Sequence, residues 1–391
     1  MLDLCDPDTY LDGPPHEYFT ELRATDPVHW QDMTGEPGYW AVLRHADVER
    51  VARAPKLFSS EVGGVVLEDL APTQLEQMQG MLLAMDPPRH RSVRKPLTPR
   101  LTPRSVATLE DDIRRICREA FADAEQAGET EFVHEVAARL PTRVIGKMMG
   151  LPRADWERVH QMAERVTHGQ DPEYAIPGAD AGEASTAMGL YAYQFAVDRL
   201  AETPQDDLTD VLLAEMDAVA FAMIFIQLVT AGQDTTQTML SSGLLALLEH
   251  PDQLAALRAD PSAVPLAVEE ILRWANPLHY FRRTATADTE LGGKRIEAGQ
   301  KVAMYYTSAN RDEAVFVQPQ DFLATRKPNR HLSFGQAEHF CLGAHLARLE
   351  GRVFFTELLT TYPTVELAGT PVRARSNLNN SLRTLPVRLA R

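Results

Sequence analysis

Cys341 is one of only three cysteines in this 391-residue chain, and it lies in "HLSFGQAEHFCLGAHLA", a Gly/His-rich stretch leading into a helical pattern. A helix N-terminus offers free N–H groups and partial positive charge, so a thiol placed there should have a lowered pKa. Such a thiolate could serve as a nucleophile, a redox centre or a metal ligand. No second cysteine is near it, which excludes a local dithiol or four-sulfur zinc site, and no papain-type flanking signature is present. An axial thiolate on haem iron remains open, as does a buried structural cysteine.

A second chemical feature lies in the stretch from Ala218 to Leu248, whose only charged residue is Asp234. The acid at its centre and the hydroxyls of "TTQTMLSSGLL" argue against a membrane span and for a helix buried inside a large protein. A buried carboxylate needs a partner or a chemical task. In "AGQDTT", Ala231 and Gly232 permit close approach to the backbone, and Thr235 can loosen the helix by bonding back to a carbonyl. The plainer alternative is a kink with a solvated Asp. Glu270 and Arg273 stand at i,i+3 and can pair; an exposed pair there would contribute little. His90 and Arg94 share a helix face at i,i+4, and Arg89–Arg104 holds six Lys/Arg and no acid. A solvated basic face is the simple account of that stretch.

The elements that position these residues are mostly helices. "ATLEDDIRRICREAFADAEQAG" puts Leu109, Ile113, Ile116, Cys117, Ala120, Phe121 and Ala124 on one stripe, which makes Cys117 a core residue. Helical patterns recur at "FVHEVAARLPTRVIGKMMG", "AGEASTAMGLYAYQFAVDRLAE" and "AHLARLEGRVFFTELLTTYP", whereas "PVHWQDMTGEPGYWAVL" reads as two strands around a Gly/Pro loop. Lys+Arg number 39 against 55 Asp+Glu, for a net charge of −16, so a nucleic-acid partner is not expected. Three scattered cysteines suit a reducing cytosol. The N-terminus lacks a basic start and an apolar run, so neither signal peptide nor membrane anchor is expected and the location is cytoplasmic.

Taken together, these pieces resemble the cytochrome P-450 family of haem-thiolate monooxygenases, of the soluble bacterial, actinobacterial type. "FGQAEHFCLG" is similar to the family's cysteine loop, "AGQDTT" to its oxygen-activating helix motif, and Glu270/Arg273 to its Glu-x-x-Arg pair. The resemblance spans the whole chain. It implies a mainly α, triangular fold with small peripheral β-sheets, and one domain over residues 1–391 binding haem b. By the same resemblance Cys341 is the axial iron ligand, Phe334 shields the thiolate, and Gly343, Ala231 and Gly232 admit the haem. His90, Arg94, Arg283 and His339 hold the propionates, with Arg282 as the adjacent alternative to Arg283. Asp234 and Thr235 are the catalytic proton-handling pair. Glu270 and Arg273 are structural, with Arg326 as a third member. Ala337 stands where the family usually has Gly.

The implied activity is hydroxylation or epoxidation of a hydrophobic small molecule such as a terpenoid, steroid or polyketide. It consumes O₂ and two electrons, delivered by a ferredoxin and an NAD(P)H-dependent ferredoxin reductase, because the chain has no flavin or iron–sulfur motif of its own. The basic stretch Arg89–Arg104 suits an acidic ferredoxin. Val65, Val66, Leu82, Ile226, Leu278, Tyr280 and Leu378 are expected to face the substrate, with His279 and Asn379 as polar anchors. A peroxide-driven peroxygenase and a non-catalytic haem-thiolate ligand or gas binder are the rival readings; the Asp234–Thr235 pair argues against both.

Overall fold

The computed structural model describes residues 2–174 and 181–391. Helices dominate. Those that frame the site are α1 (Arg89–Leu97), α2 (Glu110–Ala127), α3 (Arg139–Met148), α4 (Trp156–Thr167), α5 (Ala181–Leu200), α6 (Ala218–Glu249), α7 (Val264–Ala275) and α8 (Ala344–Thr361). The main sheet has five strands: β1 (Val28–Met33), β2 (Glu36–Val42), β3 (Phe58–Ser59), β4 (Tyr280–Ala285) and β5 (Lys301–Tyr305), in the order β1-β2-β5-β4-β3. Only β2 and β5 run parallel, in the register Tyr39↔Lys301; the other pairings are antiparallel.

α6 is the central element. Asp217 caps it by accepting the Ala220 N–H at 2.9 Å, the side-chain oxygen replacing a partner that the first turn lacks. It packs against α3, α4, α5, α7 and α8. It is long and apolar enough to cross a membrane, but here the apolar surface is matched to neighbouring helices, as expected for a helix that is hydrophobic all round. The stripe on α2 is buried from Ile113 to Ala124, Cys117 included, against α8 residues such as Phe354.

One local departure from the sequence pattern matters. "FVHEVAARLPTRVIGKMMG" is not a continuous α-helix. A π turn, Val133–Ala137, precedes α3 and turns His134 toward α4. Periodicity at 3.6 residues per turn cannot register an inserted π turn, which widens the helix by one residue.

The segment leading to the cysteine loop is tied to α7 by charge. Glu270 and Arg273 form a bidentate pair with both contacts at 2.8 Å, and both side chains are fully buried. Arg326 adds a contact at 2.9 Å to Glu270 Oε2, and the same carboxylate accepts from the Leu323 N–H and Asn329 Nδ2. The pair is therefore not the exposed one that i,i+3 spacing alone allows. Its charges are compensated by a network that also fastens the chain 317–329, since Arg273 and Arg326 donate to carbonyls there.

Candidate active site

The cysteine loop is held by backbone geometry. The Cys341 N–H donates to the Phe334 carbonyl at 2.7 Å. Gly335 has φ +66°, and a Cβ there would lie 3.3 Å from the His339 carbonyl oxygen. Ala337 has φ +57°, so this alanine occupies the left-handed region where glycine is at ease, at a cost of about 1–2 kcal/mol. Phe334 packs under the loop with the Arg348 guanidinium 4.5 Å from its ring centroid.

These residues open onto a cavity of about 260 Å³ between the loop, α6 and β4. Ten of the eleven residues assigned from sequence to haem binding or proton handling line it: His90, Arg94, Ala231, Gly232, Thr235, Arg283, Phe334, His339, Cys341 and Gly343.

The chemistry of its walls is one-sided. Burial, with the repulsion of Arg94 added, holds His90 down to about 4. Burial and the nearby Arg283, His90 and Arg94 hold His339 down to about 2. Burial also lowers Arg283, whose guanidinium, among the described residues, bonds only the Arg282 carbonyl, at 2.8 Å. His90 Nδ1 is buried with no protein partner. Desolvated cations and donors facing one another need anions between them, so the cluster fits a group carrying two carboxylates. Arg282 points to the other face of β4, bonding Asp69 at 3.1 Å and the Leu67 carbonyl at 3.3 Å. Strand alternation thus separates the two neighbours.

Cys341 departs from the simple expectation of a lowered pKa. Burial raises its thiol, and the opposing pull of the Gly343 N–H, Arg94 and Arg348 does not overcome it. In the protein alone the thiol is no activated nucleophile. A metal ion bound to the sulfur would favour its thiolate form. An added Cβ at Gly343 would meet only the Cys341 sulfur, at 4.0 Å, so the glycine leaves the helix start open toward the cavity.

On α6, Thr235 faces the cavity and its hydroxyl donates back to the Ala231 carbonyl at 2.7 Å, as the sequence suggests. Asp234 does not line the cavity. Its carboxylate is buried and accepts from His168 Nε2 at 2.7 Å. Burial disfavours a charged His168, but the Asp234 carboxylate, with Glu164 and Asp171 beyond it, prevails and raises its pKa. Tyr174 stacks on the ring with centroids 4.8 Å apart. His168 is the partner that sequence reading missed; 66 residues separate it from Asp234, and only the docking of α4 on α6 joins them. Glu350, also missed, lines the cavity from α8 and receives the Thr236 hydroxyl at 3.5 Å; burial raises it to about 8.

The expected substrate face is corrected in part. Leu82 and Leu278 line the cavity. Tyr280 instead joins the Tyr39–Tyr305 aromatic core, His279 binds Thr307 at 3.0 Å, Asn379 donates to the Thr167 carbonyl and Ile226 packs beneath α5. Leu83, Leu228 and Phe281 take their place on the wall.

A lone cysteine in a strained loop, a cavity with a cationic rim and a hydroxyl-bearing central helix above it are the parts of a haem-thiolate oxygenase. The chain belongs to the cytochrome P450 family, whose signature matches residues 192–387. It is a monooxygenase of that family, whose cofactor is haem b. Its relatives include the "Putative cytochrome P450 126" of Mycobacterium tuberculosis, 39% identical over 99% of this chain and 97% of that protein. The "Steroid C26-monooxygenase" of Mycolicibacterium smegmatis is 33% identical over 97% of this chain and 92% of that one. Among solved structures, Mycobacterium marinum cytochrome P450 CYP268A2 in complex with pseudoionone superposes with a TM-score of 0.89 at 38% identity, covering 95% of this chain and 94% of the other.

Proposed function

We propose that this chain acts as one catalytic unit, located in the cytoplasm, that hydroxylates a branched, apolar molecule of the terpenoid or steroid type. The observation that carries this reading is the convergence of Cys341, the cationic rim and Thr235 on one apolar-walled cavity. Cys341 would supply the thiolate ligand, His90, Arg94, Arg283 and His339 would hold the two propionates, and Phe334 would keep water from the sulfur. Haem, when bound, supplies O₂ activation and hydrogen abstraction. The chain's residues orient and protonate. Leu82, Leu83, Leu228, Leu278 and Phe281 exclude water and hold the substrate by its apolar surface. Thr235 presents a hydroxyl to the cavity, and the adjacent Asp234 carboxylate is oriented by the His168 N–H it accepts. The steroid relative and the pseudoionone complex support an isoprenoid-derived substrate. Electrons come from a separate ferredoxin and its NAD(P)H-dependent reductase.

Two measurements test this. The ferrous carbonyl complex of the wild type should show the red-shifted Soret band of thiolate ligation, and Cys341→Ala should lose it. Retention of that band in the variant would assign the ligand elsewhere. In a spin-state titration, a sterol ketone and an isoprenoid ketone should shift the iron to high spin at lower concentration than an unbranched fatty acid. A shift with the fatty acid alone would overturn the substrate class.

A further inference from the structure

A second cluster of metal-ligating groups lies outside the cavity, where α4 meets the π turn and α6. His160 and Glu164 sit at i,i+4 on that helix and so share a face. His134 meets them from the π turn Val133–Ala137; such turns concentrate at functional sites. One ligand atom from each of the three residues lies within 4.8 Å of the other two. His134 Nδ1 is 3.0 Å from Glu164 Oε1, and His160 Nε2 is 3.5 Å from the same oxygen.

The outward nitrogens decide what the inward ones can do. His134 Nε2 faces the Arg383 carbonyl at 3.1 Å, and His160 Nδ1 faces Gln233 Oε1 at 3.4 Å. A carbonyl oxygen can only accept, so each ring places its N–H outward. In neutral imidazoles the inward nitrogens then carry lone pairs, and both point at a carboxylate. Two lone pairs and an anion repel unless a proton on His134, whose pKa the Glu164 carboxylate raises against burial, or a metal cation lies among them. Metal-bound histidines have this arrangement, with the far N–H fixed by a carbonyl or amide oxygen. Zinc bonds of about 2.0–2.1 Å place tetrahedral ligand atoms about 3.4 Å apart, so the side chains need only small rotations to close on an ion.

We propose that His134 Nδ1, His160 Nε2 and Glu164 form a binding site for one divalent ion of the zinc class, with a fourth position open to solvent. Two imidazoles and one carboxylate suit zinc and its first-row neighbours rather than magnesium or calcium. The half-exposed His134 gives the ion a way in. Bound there, the ion fastens the π turn to α4 and, through His160 and Gln233, to α6 one residue before Asp234.

The test uses the haem-loaded protein, stripped with chelator and titrated with ZnCl₂ by calorimetry. One zinc per chain is expected, and zinc K-edge absorption should report two imidazole nitrogens. Glu164→Gln and His134→Gln should each weaken binding by about 100-fold, while H345Q, at an exposed histidine elsewhere on the surface, should leave it unchanged. Folding of each variant is checked by its carbonyl Soret band; where either variant loses that band, H160Q takes its place. Absence of saturable binding below ~100 µM, binding that survives these substitutions, or a zinc spectrum without imidazole would each overturn the site and leave His134 as a protonated partner of Glu164.

Discussion

Thr235 and the His168–Asp234 pair make separate contacts on α6, and their replacement should give different defects. Thr235→Ala should still bind substrate and consume NAD(P)H, but product per electron should fall about 10- to 100-fold as reducing equivalents leave as hydrogen peroxide. His168→Gln releases the Asp234 carboxylate from its 2.7 Å contact, so the rate of O₂ consumption should change while substrate affinity does not. Wild-type coupling in Thr235→Ala and an unchanged rate in His168→Gln would reduce the pair to a packing device. Glu350 carries a pH signature. Its folded value, about 8, lies above the ordinary 4.5, so between those limits the folded state holds a proton that the unfolded chain has released. Its contribution to stability is complete below about pH 4.5 and is lost as pH rises through about 8. Denaturant midpoints should therefore decline over that window in the wild type and decline less in Glu350→Gln; parallel curves would show that Glu350 is ionised throughout. The candidate site was legible at this scale through the resemblance of "FGQAEHFCLG" and "AGQDTT" to family motifs; residue chemistry alone left Cys341, Asp234 and the basic stretch with plainer alternatives. His168 and Glu350 were not, since neither has a local pattern; only tertiary docking gives them partners.

At the scale of elements, the Glu270–Arg273 pair shows what spacing leaves open. The i,i+3 offset permits a contact but says nothing of burial, which sets its magnitude. Removing one member of a buried pair strands the other charge, so Arg273→Met should cost about 3–5 kcal/mol in denaturant unfolding and lower the fraction that retains haem. A loss below about 1 kcal/mol would place the pair among ordinary surface contacts. The two strands and the α2 stripe were readable because their hydrophobic periods run unbroken, although Glu36-Pro37-Gly38 belong to β2 and the turn is only Thr34-Gly35; α6 was readable from its near absence of charge. The π turn at Val133–Ala137 and the inward face of β4 were not. An inserted residue breaks the helical period, and every β4 residue but Phe281 is buried, so alternation does not tell the cavity from the aromatic core.

Across the whole molecule, the basic stretch is less free than its composition suggests. Arg91 pairs with Glu338, Arg100 with Asp206 and Arg89 with Glu61, and Arg94 faces the cavity, leaving Lys95 and Arg104 exposed. Reduction by an acidic ferredoxin should slow as salt rises, and Lys95→Glu with Arg104→Glu should slow it several-fold without altering substrate affinity; a salt-independent rate would place the docking surface elsewhere. The two walls of the cavity also differ in how they are held. The cysteine side hangs on the Glu270–Arg273–Arg326 network, in which each group has several partners and loss of one member strands the other charges. The opposite wall is built from Leu82, Leu83, Leu228 and Leu278, whose contacts are non-directional and tolerate swaps of similar volume. Sequence drift in descendants of this chain is thereby channelled: the oxidising half stays fixed, while new ligand preferences accumulate one side chain at a time on the other.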